Sequence, residues 1–331
     1  MRTAPLLALL TVAASGCGLA QRAAVGLVYD RAPLADSLVT RDVAYLPDGG
    51  PKHRLNLFRP APGTTTPGAI VPTVVFVHGG GWTTGDRDEA RGGADFYNNV
   101  GRFLAGRGIA TAVVSYRFLP GVGWRDQLAD VAAATAWTQR HAPDWGGAPG
   151  SVVVMGHSAG GQLAARVALD AGVRERAGAL PVCGAVVASG AALDLVDPAT
   201  WATGTRFGYY AERFSPERRP LPGPLAEPYG WQTEASPVTY VTPDAPPFLI
   251  SVASGEAALF KTQAAALGRA LDAAGVPYET VETPALTHAL GVPNLSRDDR
   301  VVAPAAARFV QGLACGSVRG RSGPATGGGG R

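Results

Sequence analysis

Ser151-Val152-Val153-Val154-Met155-Gly156-His157-Ser158-Ala159-Gly160-Gly161-Gln162-Leu163-Ala164-Ala165 is the stretch whose reading decides the fold. A β-branched apolar run passes within a few residues into a helical pattern, with a serine between glycines at the join. Such a join reads as a nucleophile elbow, a strand-to-helix turn sharp enough to lift Ser158 Oγ above the strand end. Gly156 and Gly160 leave room where the two backbones pack closely, and the helix N-terminus behind Ser158 favours a developing negative charge. A Gly-Ser loop between any strand and helix can look the same, so the meaning of the elbow depends on the rest of the chain.

Working outward, residues 73–77 form a nearly continuous apolar run, as a strand covered on both faces does. It leads into His78-Gly79-Gly80-Gly81-Trp82. Helices are expected at 96–107, 124–141, 262–274 and 301–314, and further strands at 109–116, 182–189, 247–252 and 278–283. Residues 39–46 and 54–59 alternate apolar and polar, as two half-buried strands of an antiparallel opening would. Strands joined by helices of this length require parallel pairing. The expectation is an α/β fold with a mostly parallel central sheet flanked by helices, spanning residues 39–314. Residues 195–235 break the rhythm with Trp201, Phe207, Tyr209, Tyr210, Phe214, Tyr229 and Trp231 among prolines and charges. That insertion after a strand end reads as a small lid.

A chain of 331 residues, 46% hydrophobic, suits one large domain of this kind. Its net charge of +3 is small and its arginines are scattered, with no basic run interleaved with aromatics, so nucleic acid is not an expected partner. Residues 1–16 have a basic start and a short apolar core, a signal peptide rather than a membrane span. The run ends Ala14-Ser15-Gly16-Cys17, which resembles a bacterial lipobox with Ala14 in place of the usual leucine. Cys17 is then the lipidated first residue of a mature protein tethered to a membrane by residues 17–38. Ordinary cleavage near Ala20 and secretion is the alternative. Either reading places the protein outside the cytoplasm, in the cell envelope or beyond. Residues 315–331, Gly-rich with three arginines, are expected to be disordered. Export permits a disulfide between Cys183 and Cys315, and a buried thiol at Cys183 is equally compatible with the sequence.

Acyl transfer by serine needs a base, a carboxylate to orient it and donors for the oxyanion. Of the five histidines, His53 lies in the opening strands, His78 begins the glycine run, His141 ends a helix and His157 adjoins Ser158. Only His288 lies in a loop after a late strand, where the base of an elbow sheet arrives. Glu256 is the carboxylate best placed at the end of the preceding strand, and Asp194 is its competitor. Gly79 to Gly81 allow backbone N–H groups to approach a substrate oxygen, with the N–H of Ala159 as the companion donor.

Taken together, His78 to Trp82, Asp86, Ser115-Tyr116-Arg117, Gly156 to Gly161 and the approach from Ser236-Pro237 to Pro247 resemble the α/β-hydrolase superfamily. Within it they resemble the esterase/lipase branch with a His-Gly-Gly-Gly-Trp oxyanion motif, including hormone-sensitive-lipase-like and feruloyl-esterase-like bacterial enzymes. The resemblance implies Ser158 as nucleophile, His288 as base and Gly80, Gly81 and Ala159 as oxyanion donors. It also implies a serine carboxylic ester hydrolase acting on small to medium esters, with no metal and no organic cofactor. An amidase or arylformamidase with the same machinery is one alternative, and a non-catalytic ligand-binding envelope lipoprotein is another. The family it resembles usually has aspartate in Gly-x-x-Asp at the acid loop, where this chain has Ala253-Ser254-Gly255-Glu256.

Overall fold

The computed structural model describes residues 31–91, 94–201, 206–216, 230–283, 288–298 and 300–313. The expected signal peptide, Cys17, most of the tether, Cys315, the C-terminal tail and residues 202–205 and 217–229 of the insertion lie outside them. Among the described residues the strands are β1 (Val39–Ala44), β2 (Arg54–Phe58), β3 (Thr73–Val77), β4 (Ala90–Arg91), β5 (Ala94–Asp95), β6 (Ala110–Val114), β7 (Val152–His157), β8 (Gly184–Ala188), β9 (Phe248–Ala253) and β10 (Tyr278–Thr283). The helices are α1 (Asn98–Ala105), α2 (Trp124–His141), α3 (Ala159–Leu169), α4 (Ala171–Ala177), α5 (Pro198–Trp201), α6 (Arg206–Phe214), α7 (Gly230–Ala235), α8 (Ala258–Ala273) and α9 (Val302–Gly312).

Eight strands form one sheet in the order β1-β2-β6-β3-β7-β8-β9-β10, and β4 pairs with β5 apart from it. β2 runs antiparallel to both β1 and β6, and every other neighbour in the sheet is parallel. The apolar runs explain the centre. Every residue of β3, β7 and β8 is buried, because helices cover both faces. The two-residue period then divides the side chains. Val75, Val77, Val154 and Val187 face α2, α3 and α8, while Val74, Phe76, Val153, Met155 and Val186 face α1 and α9. Each such side chain contributes roughly 1.5–3 kcal/mol relative to an exposed one.

Element boundaries depart from the sequence pattern in two places that matter. Phe96 and Tyr97 precede α1 instead of opening it, and both are buried. α8 begins at Ala258, four residues before the expected start, and its cap Ala257 offers no side-chain hydrogen bond. No polar cap marked that start, and the early turn seats Leu259 in the core. Cys183, just before β8, is disulfide-bonded; the chain's other cysteines, Cys17 and Cys315, lie outside the described residues.

The carboxyl edge of the sheet comes together through one close approach. A Cβ on Gly160 would lie 2.2 Å from Val77 O and 2.4 Å from His78 O, so α3 starts against the end of β3 only because residue 160 has no side chain. Both obstacles are backbone atoms. Gly160→Ala is therefore expected to destabilise the fold by at least about 1–3 kcal/mol, the range for overpacking a rigid site. Urea unfolding followed by circular dichroism measures this, and an unchanged midpoint would contradict the geometry.

Candidate active site

Ser158 occupies the join between β7 and α3 with φ 57° and ψ −121°, a conformation rare for a residue with a side chain. Its N–H donates to Ala188 O at 3.0 Å, and its carbonyl accepts from Gly161 and Gln162 in the first turn of α3 and from Ala191 at 3.3 Å. These bonds tie the strained residue to β8 and to its own helix. The hydroxyl is left at the carboxyl edge of the sheet, where open α/β sheets bind their ligands.

Glu256 and His288 meet Ser158 from beyond the ends of β9 and β10, the second and third strands along the sheet from β7. His288 Nε2 lies 2.7 Å from Ser158 Oγ, and His288 Nδ1 lies 2.8 Å from Glu256 Oε1. Glu256 Oε2 accepts the Ala253 N–H at 2.9 Å, and the Ser189 hydroxyl also bonds the carboxyl group. Burial alone would raise this carboxyl, whose side chain has 0% exposure. The bonds from His288, Ser189 and Ala253 outweigh that and hold it below the ordinary glutamate value. Glu256 is thus an anion fixed at both oxygens. An imidazole between it and a hydroxyl can accept the hydroxyl proton while the resulting cation is stabilised.

Asp194, the competing carboxylate, is placed differently. It accepts the N–H groups of Val196 and Asp197 at 2.9 and 3.2 Å and closes the turn before α5, and burial raises its carboxyl. Its backbone is held by Gln263 of α8, and no bond joins it to His288.

The glycine run after β3 folds over the same edge. Gly80, Gly81 and Trp82 have φ of 126°, 60° and 64°. Gly80 O accepts the N–H groups of Thr83 and Thr84, and a Cβ on Gly80 would lie 1.9 Å from Thr84 O. The N–H groups of Gly80, Gly81 and Ala159 make no hydrogen bond within the chain among the described residues. His78 is completely buried and stacks on Tyr116 with ring centroids 4.5 Å apart. Its Nδ1 donates to Gly79 O at 2.7 Å, and Tyr116 Oη donates to His78 O at 3.1 Å. Burial brings its pKa down to about 4, so the ring is a neutral donor.

Several contributors had no sequence signal. The His288 ring stacks on Phe260, with centroids 3.9 Å apart, and on His157, at 5.0 Å. Ser189 sits at φ 48° directly after β8. Only a fold-level register of β8 against β9 could have pointed to its hydroxyl. Phe96, Tyr97, Tyr209, Tyr210, Phe260 and Val292 line a cavity of about 360 Å³ above Ser158 and His288. Of the insertion's aromatics, Tyr209 and Tyr210 reach this cavity, whereas Phe214 and Trp231 are buried against the core.

A family model, BD-FAE, matches residues 55–271. The chain belongs to the BD-FAE family. That match runs from β2 to α8 and so takes in the glycine run, Ser158 and Glu256. This BD-FAE chain is 28% identical over 283 residues to Esterase LipQ of Mycobacterium tuberculosis, covering 82% of this chain and 62% of that protein. It is 30% identical over 191 residues to the probable carboxylic ester hydrolase LipM of the same organism, covering 54% of this chain and 40% of that one. It therefore spans less than two thirds of the length of these relatives. Among solved structures, an inhibited esterase B from Lactobacillus rhamnosis superposes with a TM-score of 0.69 at 24% identity, covering 93% of this chain and 96% of that one. A truncated carbohydrate esterase from gut microbiota gives 0.66 at 19% identity, covering 85% and 98%. These likenesses establish the α/β-hydrolase fold.

His78 supplies a pH-dependent stability. Its folded pKa of about 4 lies below the ordinary 6.5, so the unfolded chain takes up this proton first as pH falls. Stability is full above 6.5 and lost as pH drops toward 4, by about 3 kcal/mol. In His78→Phe this contribution is absent. The stability gap between wild type and variant, measured by urea unfolding, is expected to shrink by about that amount between pH 7 and pH 4.

Proposed function

We propose that this protein is a serine-dependent carboxylic ester hydrolase that works through an acyl-enzyme on small to medium esters. The observation that carries the reading is the continuous chain from Ser158 Oγ through His288 to the buried Glu256, with spans of 2.7 and 2.8 Å. The names of the relatives, esterase and carboxylic ester hydrolase, support the same reaction class.

Ser158 Oγ attacks the ester carbonyl as its proton passes to His288 Nε2. Glu256 stabilises the imidazolium without taking its proton. The tetrahedral oxyanion receives hydrogen bonds from the N–H groups of Gly80, Gly81 and Ala159, which lie beside the start of α3. His288 returns the proton to the leaving alcohol as the carbon–oxygen bond breaks, and the acyl group stays on Ser158. Water then attacks, giving its proton to His288, and collapse of the second intermediate releases the acid and restores Ser158. A cavity of about 360 Å³ with aromatic walls suits acyl or alcohol groups of modest size.

Export belongs to the proposal. The disulfide at Cys183 suits an oxidising compartment, and Cys17 at the end of an apolar leader suits a lipid anchor on the cell envelope. Cys17→Ser is expected to move the protein from the membrane fraction to the soluble fraction of the producing cell, and retention at the membrane would remove the anchor from the reading.

A fluorophosphonate is expected to label Ser158 stoichiometrically and to abolish turnover of p-nitrophenyl acetate. Absent labelling in active protein would sink the proposal, and preferential cleavage of an N-formyl aniline would turn it toward an amidase. Glu256→Gln is expected to lower kcat by about 10²–10⁴-fold while Asp194→Asn leaves it within about threefold. The reverse order would reassign the acid.

A further inference from the structure

We propose that Arg213, on α6 of the insertion, is a positioning residue that holds the oxyanion loop in its working shape. The inference rests on the ester-hydrolase reading and adds to it an element that lies outside the serine, histidine and carboxylate.

The loop needs holding. Gly80, Gly81 and Trp82 are three consecutive residues at positive φ, and a tryptophan persists there only where its surroundings over-determine it. Each carbonyl along the loop has a donor. Gly79 O takes His78 Nδ1 at 2.7 Å, Gly80 O takes the N–H groups of Thr83 and Thr84 at 3.2 and 3.1 Å, and Trp82 O takes Gln127 Nε2 at 2.7 Å. The first two donors belong to the loop and its flanks, and the third to α2. Gly81 O accepts from Arg213 Nε at 3.1 Å. The Gly81 N–H lies in the peptide it shares with the Gly80 carbonyl, and with no Cβ at residue 81 the following peptide, Gly81–Trp82, which sets the course of the loop into Trp82, can rotate unless its own carbonyl is held. The Gly80 carbonyl fixes one of those peptides. Arg213 fixes the other, through a charge-assisted bond stronger than an amide would make.

Arg213 is itself pinned. Its Nη1 donates to Tyr209 O at 2.9 Å, its guanidinium lies 3.5 Å over the Tyr209 ring, and Glu212 Oε2 is 3.7 Å from Nη1. Its side chain is only 16% exposed. The Tyr209 hydroxyl stands 2.7 Å from where a Cβ on Gly81 would be, so α6 covers the loop with both side chains. Phe214, from the last turn of α6, meets the Trp82 ring edge-on with centroids 4.9 Å apart. The guanidinium also places a positive charge close to the donors that receive the developing oxyanion, where a preorganised charge acts on the transition state more than on the substrate.

The test compares wild type, Arg213→Gln, Arg213→Met and Arg213→Lys on p-nitrophenyl butyrate, with inhibition by a phenylboronic acid as a tetrahedral mimic and fluorophosphonate labelling of Ser158. Arg213→Gln is expected to lose about 10–100-fold in kcat with KM within about twofold, and to bind the boronate more weakly by the factor lost in kcat/KM. Arg213→Lys is expected to regain part of both. Should Arg213→Gln fail to fold by circular dichroism, Arg213→Met carries the same comparison. A kcat within about twofold of wild type in the folded variant, or a loss confined to KM, overturns the role of Arg213. Wild type that the fluorophosphonate does not label overturns the ester-hydrolase reading instead, so the two failures are told apart.

Discussion

The structure depends on the contact between the first turn of α3 and the carbonyls at the end of β3, which Gly160 makes possible. That contact sets the separation between the Ser158 turn and the glycine run, and neither segment could be moved alone. Ser158 is held at positive φ by bonds to β8 and α3, so the strain of the turn is distributed over the most deeply buried part of the sheet. The hydroxyl inherits its rigidity from the core beneath it. A surface loop could not impose the same geometry, because it lacks the packing that over-determines a strained backbone.

From this edge the remaining groups arrive in sheet order. β8 delivers Ser189, β9 delivers Glu256, and the segment after β10 delivers His288. The bonds from Glu256 to Ser189 and to His288 run across neighbouring strand ends that parallel pairing puts side by side, and the bond from His288 to Ser158 reaches back from beyond β10 to the end of β7. A glutamate serves where the sequence resemblance led to an expectation of aspartate, with its second oxygen taken up by the Ala253 N–H at the end of the same strand. The carboxylate folds back on its own loop. That return absorbs the extra methylene.

Much of this was legible in the chain itself. The continuous apolar run of β3 marked a strand covered on both faces, and the glycine spacing around Ser158 marked the turn, because both signals are local and steric. His288 could be singled out because the other four histidines fall in segments with different expected structure. Nothing local pointed to Phe260, Ser189 or the contact of Arg213 with Gly81, since each depends on which strand ends or helices become neighbours. The start of α8 was also hidden. Ala257 offers no cap, and the turn containing Leu259 forms because it buries that leucine. The competition between Glu256 and Asp194 shows the same limit: both follow strands, and only the register of α8, whose Gln263 binds the Asp194 backbone, separates them in space.

The stacking of His288 on Phe260 and on His157 bears on where the orientation of the imidazole comes from. The imidazole stacks on rings from other elements, α8 and the end of β7, and both of its nitrogens point at fixed partners. The ring's plane is therefore set from outside its own segment. All four of its neighbours, Ser158, His157, Glu256 and Phe260, come from earlier parts of the chain, so the slot belongs to the assembled sheet edge and not to any one loop.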